Sequence, residues 1–204
     1  MKVVLATNNP GKVREISGIL NTHGIDVVSL KEYPGLGEIE EDGCTFKDNA
    51  AKKALAACGH TGLMSLADDS GLEVDFLDGA PGINSSRFAG EDKDDAANNQ
   101  KLLELLAGVP EQERTARFRC VVAIVDKEGW IYTAEGVCEG IIATEPRGKG
   151  GFGYDPLFCL PEYGKTFAEL EPEIKNEISH RAQALAGALD ILSELERVNQ
   201  EDGE

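Results

Sequence analysis

Basic residues are scarce in this 204-residue chain: 20 lysines and arginines stand against 37 aspartates and glutamates, for a formal net charge of −17. A surface that grips duplex or RNA by its phosphates is basic, so a nucleic-acid partner is disfavoured. A small polyanion stays within reach, because a few cations can converge locally and a divalent ion can offset the acids. Cysteine is sparse too. The five present, Cys44, Cys58, Cys120, Cys138 and Cys159, are odd in number, widely spaced and form no Cys-x-x-Cys. That argues against a disulfide framework and a zinc ribbon, and a reducing, cytoplasmic setting is expected. Long apolar runs are missing, so no membrane span of about 18 residues is expected. The N-terminal apolar run ends at Ala6, too short for a secretory signal. No His-Glu-x-x-His and no Gly-x-Ser-x-Gly occurs.

What the chain does hold is a β-α-β start. Val3-Val4-Leu5-Ala6 reads as a buried strand over 2–6, and Val13, Ile16, Ile19 and Leu20 recur at helical spacing over 11–22. Gly24 suits the helix stop, and a strand follows over 26–30. Thr45 is expected to open an alanine-rich helix to Cys58, closed by Gly59, with Asp48 in a capping-box position. Met64 to Ala67 reads as a strand ending in a turn at Asp68-Asp69-Ser70-Gly71, with a second strand from Leu72. A helix is expected over 93–107, burying Leu102, Leu103, Leu105 and Leu106. Strands are expected over 116–126 and 130–143, a glycine-rich loop over 144–156, and a last helix from Ser179 to about Val198. The expected fold class is α/β, an elongated mixed sheet flanked by helices. Residues 1–204 form one domain, with an acidic, frayed tail at 199–204.

The hexapeptide Thr7-Asn8-Asn9-Pro10-Gly11-Lys12 sits at the strand-to-helix turn. Asn8 or Asn9 can cap the helix, and Pro10 suits its first position. Unpaired N–H groups, the helix dipole and Lys12 together make a plausible grip on a phosphate chain, although a well-capped helix with a surface lysine reads the same way. Asp68 and Asp69 follow an apolar strand. Because successive strand residues point to opposite faces, only one of them easily faces a given cleft. With Glu40 and Glu41 from a separate loop they suggest a shared Mg²⁺ site, against the plainer reading of solvated turn acids. Gly148 to Gly153 matches G-x-G-x-x-G, but Tyr154-Asp155-Pro156 follows where a dinucleotide fold needs a helix. Gly164-Lys165-Thr166 imitates a P-loop end, but Cys159 stands where its first glycine belongs. Arg181, beside His180 at the start of the last helix, opposes the helix dipole unless an anion or electron-rich ligand answers it. Phe152, flanked by glycines, suits either a nucleobase or a core.

Together these segments resemble the inosine triphosphate pyrophosphatase family, whose bacterial members are the dITP/XTP pyrophosphatases. The matching pieces are Thr7 to Lys12, Glu40-Glu41-x-Gly-x-Thr45-Phe46, Ala67 to Leu72, Gly79-Ala80-Pro81-Gly82, Gly150 to Pro156, and Lys175 with Ser179-His180-Arg181. The resemblance implies two lobes with the site in a central cleft, a homodimer, and Mg²⁺-dependent hydrolysis of the purine nucleoside triphosphates ITP, dITP and XTP to monophosphate and pyrophosphate. It implies that Thr7, Asn8, Asn9, Pro10, Gly11 and Lys12 hold the triphosphate and that Glu40 and Asp69 carry the metal, with Glu41 and Asp68 as further candidates. Asp69 is also implied as general base. Ser70 would contact substrate, and Phe152, Gly153, Tyr154, Asp155, Lys175, His180 and Arg181 would surround base and sugar. Two other readings remain: a house-cleaning phosphatase for modified pyrimidines, and a non-catalytic nucleotide sensor, against which the four acids argue.

Overall fold

Asn9 starts the first helix by local chemistry alone. Its side-chain oxygen accepts from the N–H groups of Gly11 and Lys12 at 2.8 and 3.1 Å, and Pro10 takes the first helical position. This cap joins β1 (Lys2–Leu5) to α1 (Pro10–Thr22), and β2 (Asp26–Ser29) returns parallel to β1. The computed structural model describes residues 1–37 and 39–201, except the side chains of residues 199–201. The remaining elements are α2 (Phe46–Thr61), β3 (Ser65–Val74), α3 (Asp95–Leu105), β4 (Thr115–Val125), β5 (Ile131–Ile142), β6 (Phe158–Leu160), β7 (Lys165–Thr166), α4 (Pro172–Ile178) and α5 (His180–Glu201). The strands form one mixed seven-stranded sheet in the order β2-β1-β3-β4-β5-β6-β7, with β1 parallel to β3 and β6 antiparallel to β5 and β7. The α/β expectation is met. No described helix is long and apolar enough to cross a membrane.

Several boundaries move. Gly59 does not close α2; the helix runs on to Thr61, and Gly62 takes the left-handed conformation while its N–H bonds the Cys58 carbonyl. One glycine inside a helix costs only about 1 kcal/mol, so Gly59 alone is too weak a stop. Asp68 to Gly71 is not a turn but the middle of β3, buried on both faces. Charge pairing, described below, lets carboxylates stay in the strand. Leu105 is exposed, whereas Leu102 and Leu106 are buried; with successive residues 100° apart, leucines clustered within five positions cannot all face one side. Helix α4 and strand β7 were not expected. Helix α5 passes Val198 to Glu201, and the rest of the expected acidic tail, residues 202–204, lies outside the described residues. Gly164 turns the chain between β6 and β7, so no P-loop forms there, and turns rather than a helix follow Gly153 directly, leading into β6.

The chain divides into two compact units. The first comprises, among the described residues, those of 1–69, 120–136 and α5 from Arg181 onward. Its core joins Val3 and Leu5 of β1, Ile16 and Leu20 of α1, Leu66 of β3, Val122 and Ile124 of β4, and Leu185 and Leu192 of α5. The second comprises residues 70–119 and 137–180. Its core is aromatic: Phe118, Phe158 and Phe167 lie with ring centroids 4.6–5.8 Å apart, alongside Leu72, Leu102 and Leu157.

Candidate active site

In the first unit, β3 presents Asp68 and Asp69 to opposite sides, and each meets a lysine. Asp68 is fully buried and lies 2.9 Å from Lys12 Nζ and 3.3 Å from the Arg181 guanidinium. Arg181 also binds Glu15, three residues beyond Lys12 on α1. The dipole opposition expected at the start of α5 is therefore answered by two carboxylates. Burial pushes the Asp68 carboxyl up, but Lys12, Arg181 and Lys53 outweigh it and hold the group below the usual carboxylate range. Burial likewise disfavours the Arg181 cation, and Asp68 and Glu15 more than restore it. The Cys120 thiol, 3.9 Å from Asp68, is pushed up to about 12 by burial and by that carboxylate, so it stays a neutral packing group.

Asp69 faces α2. Its carboxylate accepts from Lys53 Nζ at 3.0 Å and from Asn49 Nδ2 at 3.2 Å, and Lys53 also reaches Glu41 at 2.6 Å. Here the balance reverses. Burial and nearby Glu41 outweigh Lys53 and Lys12, and the Asp69 carboxyl is raised above its ordinary value. Two adjacent aspartates thus have pKa values pushed apart, one locked as an anion and one able to take a proton. Gly43 explains the glycine of the Glu40-Glu41 segment: a Cβ there would lie 2.6 Å from Asn49 Oδ1, the atom that accepts the Gly43 N–H.

The hexapeptide is partly committed to its own turn. Thr7 Oγ1 accepts from Asn9 N–H, and Asn9 caps the helix. Asn8, Asn9 and Pro10 are exposed, Gly11 is buried and Lys12 is half-buried. Glu40 is exposed, and Glu41 is the acid that shares a cation with Asp69. Among the described residues no three His, Cys, Asp or Glu side chains are grouped to hold a metal. The donor set nonetheless suits a hard ion: Asp69 and Glu41 oxygens already converge on one cationic centre, and Mg²⁺ takes one or two carboxylates plus phosphate oxygens.

The second unit holds the other residues singled out from the sequence. Lys175 and Asp155, both buried, form an ion pair at 2.6 Å, and the Asp155 carboxylate also accepts from Phe152 N–H at 2.9 Å. Lys175 Nζ lies 5.0 Å from the Phe152 ring centroid and 5.4 Å from that of Phe167. His180 is buried and stacks on Phe118 at 4.6 Å. Tyr154 turns into the aromatic core and donates its hydroxyl to the Ser85 carbonyl. Ser70 follows Asp69 on β3 and is half-buried.

Sequence reasoning missed Lys53, Asn49 and Glu15. The first two carried a signal, since a lysine and an asparagine four residues apart share one face of an alanine-rich helix. That face is the buried one. Glu15 carried none beyond its spacing from Lys12.

The model of the Ham1 family matches residues 3–191. The chain is 64% identical over 195 residues to the dITP/XTP pyrophosphatase of Desulforamulus reducens, covering 96% of this chain and 97% of that protein. It is 54% identical to that of Geobacter sulfurreducens, covering 94% and 96%. A HAM1 protein structure from Coxiella burnetii superposes with a TM-score of 0.85 at 44% identity, covering 95% of this chain and 99% of that one. A nucleoside-triphosphatase (dITP/XTP pyrophosphatase) from Mycobacterium abscessus gives 0.75 at 45% identity, covering 93% and 99%. With a family match across nearly its whole length, this chain belongs to the Ham1 family.

Proposed function

We propose that this chain is a nucleoside triphosphate pyrophosphatase that hydrolyses ITP, dITP and XTP to the monophosphate and pyrophosphate, with Mg²⁺ as cofactor. The observation that carries this reading is the Asp68–Asp69 step on β3, where successive buried carboxylates each hold a lysine while their proton affinities move in opposite directions. The substrate class is that of the relatives' names.

Hydrolysis of a phosphoanhydride needs a base for the attacking water and charge to answer the leaving pyrophosphate. Asp69, with raised proton affinity, is the base. Lys12 and Lys53 are ammoniums held at the two aspartates, available to phosphate oxygens as the charge develops. Asp68 keeps Lys12 and Arg181 in place and stays ionised. Asp69 with Glu40 or Glu41 would hold Mg²⁺, which polarises phosphoryl oxygens and makes bound water more acidic. In the second unit, Phe152 offers an aromatic face to the purine, and Lys175 offers N–H donors suited to a 6-carbonyl. Adenine presents an amino group at that position, and a buried donor facing a donor costs about 1–3 kcal/mol. The family resemblance supports a cytoplasmic homodimer.

The test is a substrate panel run in isotopically labelled water with Mg²⁺. Pyrophosphate release from ITP, dITP and XTP, well above that from ATP, is expected. The position of the label assigns attack to the α or β phosphorus. Orthophosphate release, pyrimidine turnover, or tight binding without turnover would overturn the reading.

A further inference from the structure

The segment Gly148 to Gly153 has four glycines in six residues, and so has many backbone conformations open to it. A base platform at Phe152 needs one of them. Gly150 N–H bonds the Ala168 carbonyl at 3.0 Å, and Phe152 N–H bonds Asp155. The last constraint comes from α3. Asp95 Oδ2 accepts the Gly153 N–H at 2.8 Å, and Asn99 Nδ2 donates to the Gly153 carbonyl at 2.9 Å. Asp95 and Asn99 are one turn apart and share a face.

The geometry is specific. Peptide units are planar, so holding the Gly153 N–H fixes the 152–153 plane and holding its carbonyl fixes the 153–154 plane. Together they set Gly153 at φ +61°, and with it the direction in which Phe152 leaves the chain. The other side-chain contacts of this part of α3 fall to neighbouring residues. Asp94 already caps the helix by accepting from Ala96 and Ala97 N–H, and Asn98 ties α3 to Ser86 and Ala89.

We infer that Asp95 and Asn99 are positioning residues, a two-point clamp on Gly153 that orients the Phe152 ring for a purine base. The inference rests on the reading of Phe152 as the base platform. The clamp acts on substrate affinity and not on the phosphate chemistry, whose residues lie in the first unit.

The experiment measures KM and kcat for ITP together with amide hydrogen exchange at Gly153, resolved by NMR. The variants are Asp95→Ala, Asp95→Asn, Asn99→Ala and Phe152→Ala, with Gln100→Ala as control. Loss of either clamp bond should speed Gly153 exchange and raise KM about tenfold, with kcat little changed. Asp95→Asn keeps an acceptor and should restore most of the affinity, and Gln100→Ala should match the parent. Unchanged Gly153 exchange in the alanine variants, or faster exchange with an unchanged KM, would overturn the clamp. If Phe152→Ala leaves KM unchanged, the base platform itself is wrong; if it raises KM while the clamp variants do not, only the clamp fails. Should Asn99→Ala not fold, Asn99→Leu removes the donor while keeping the volume and is read in its place.

Discussion

The two units solve the same problem, a buried aspartate beside a lysine, in different materials. In the first, three cations and four carboxylates interlock: Lys12, Lys53 and Arg181 with Glu15, Glu41, Asp68 and Asp69. In the second, the buried Lys175–Asp155 pair sits among the rings of Phe152 and Phe167. A meshwork of charges can exchange internal partners for phosphate oxygens and a metal ion. A neutralised pair beside aromatic faces suits a flat, hydrogen-bonding base. The contrast also runs along β3 itself, where neighbouring aspartates in one strand are driven toward opposite protonation behaviour by what faces them.

The largest expected effect separates Asp69 from Asp68. Asp69→Asn should lower ITP turnover by about 10²–10⁴-fold, the range for removing a general base. Its fold should survive, because burial penalises the Asp69 charge and Lys53 keeps Glu41 as an ion-pair partner. Steady-state pyrophosphate release and a melting curve check both halves. Asp68→Asn should do the reverse in kind, destabilising the protein by about 3–5 kcal/mol at pH 7 by leaving Arg181 and Lys12 facing an uncharged amide. The Asp68 carboxyl is depressed in the folded state, so its contribution is present above the unfolded value of about 3.9 and is lost as pH falls below it. Denaturant melts should therefore show the Asp68→Asn deficit shrinking under acid. A smaller effect concerns the metal-free protein, where the Asp69 carboxyl should titrate above the ordinary aspartate value and the Asp68 carboxyl below it in NMR titrations. Indistinguishable titrations of the two would erase the distinction between the two acids.

The first turn was legible in the sequence because its chemistry is local: an asparagine, a proline and a helical apolar pattern lie within a few positions. The strand interior at Asp68 and Asp69 was not. Two acids before Ser-Gly read as a turn unless one knows that Lys53, 16 positions upstream, and Arg181, 113 positions downstream, arrive to neutralise them. Pairing at that distance leaves no local trace. Helix α4 was hidden for a different reason, since seven residues with only Ile174 and Ile178 as apolar anchors give too little periodicity. Phe152 stood out by its flanking glycines and Asp155 through the family resemblance, yet the Asp155–Lys175 pair and the Asp95 and Asn99 contacts to Gly153 depend on how the glycine loop folds back.

The contrast between the units is tested most directly by comparing inosine monophosphate, ITP and pyrophosphate binding to Lys12→Ala and Phe152→Ala by calorimetry. Lys12→Ala should weaken ITP and pyrophosphate while leaving inosine monophosphate much less affected. Phe152→Ala should weaken ITP and inosine monophosphate, with pyrophosphate unchanged. Equal losses for all three ligands in both variants would contradict the account.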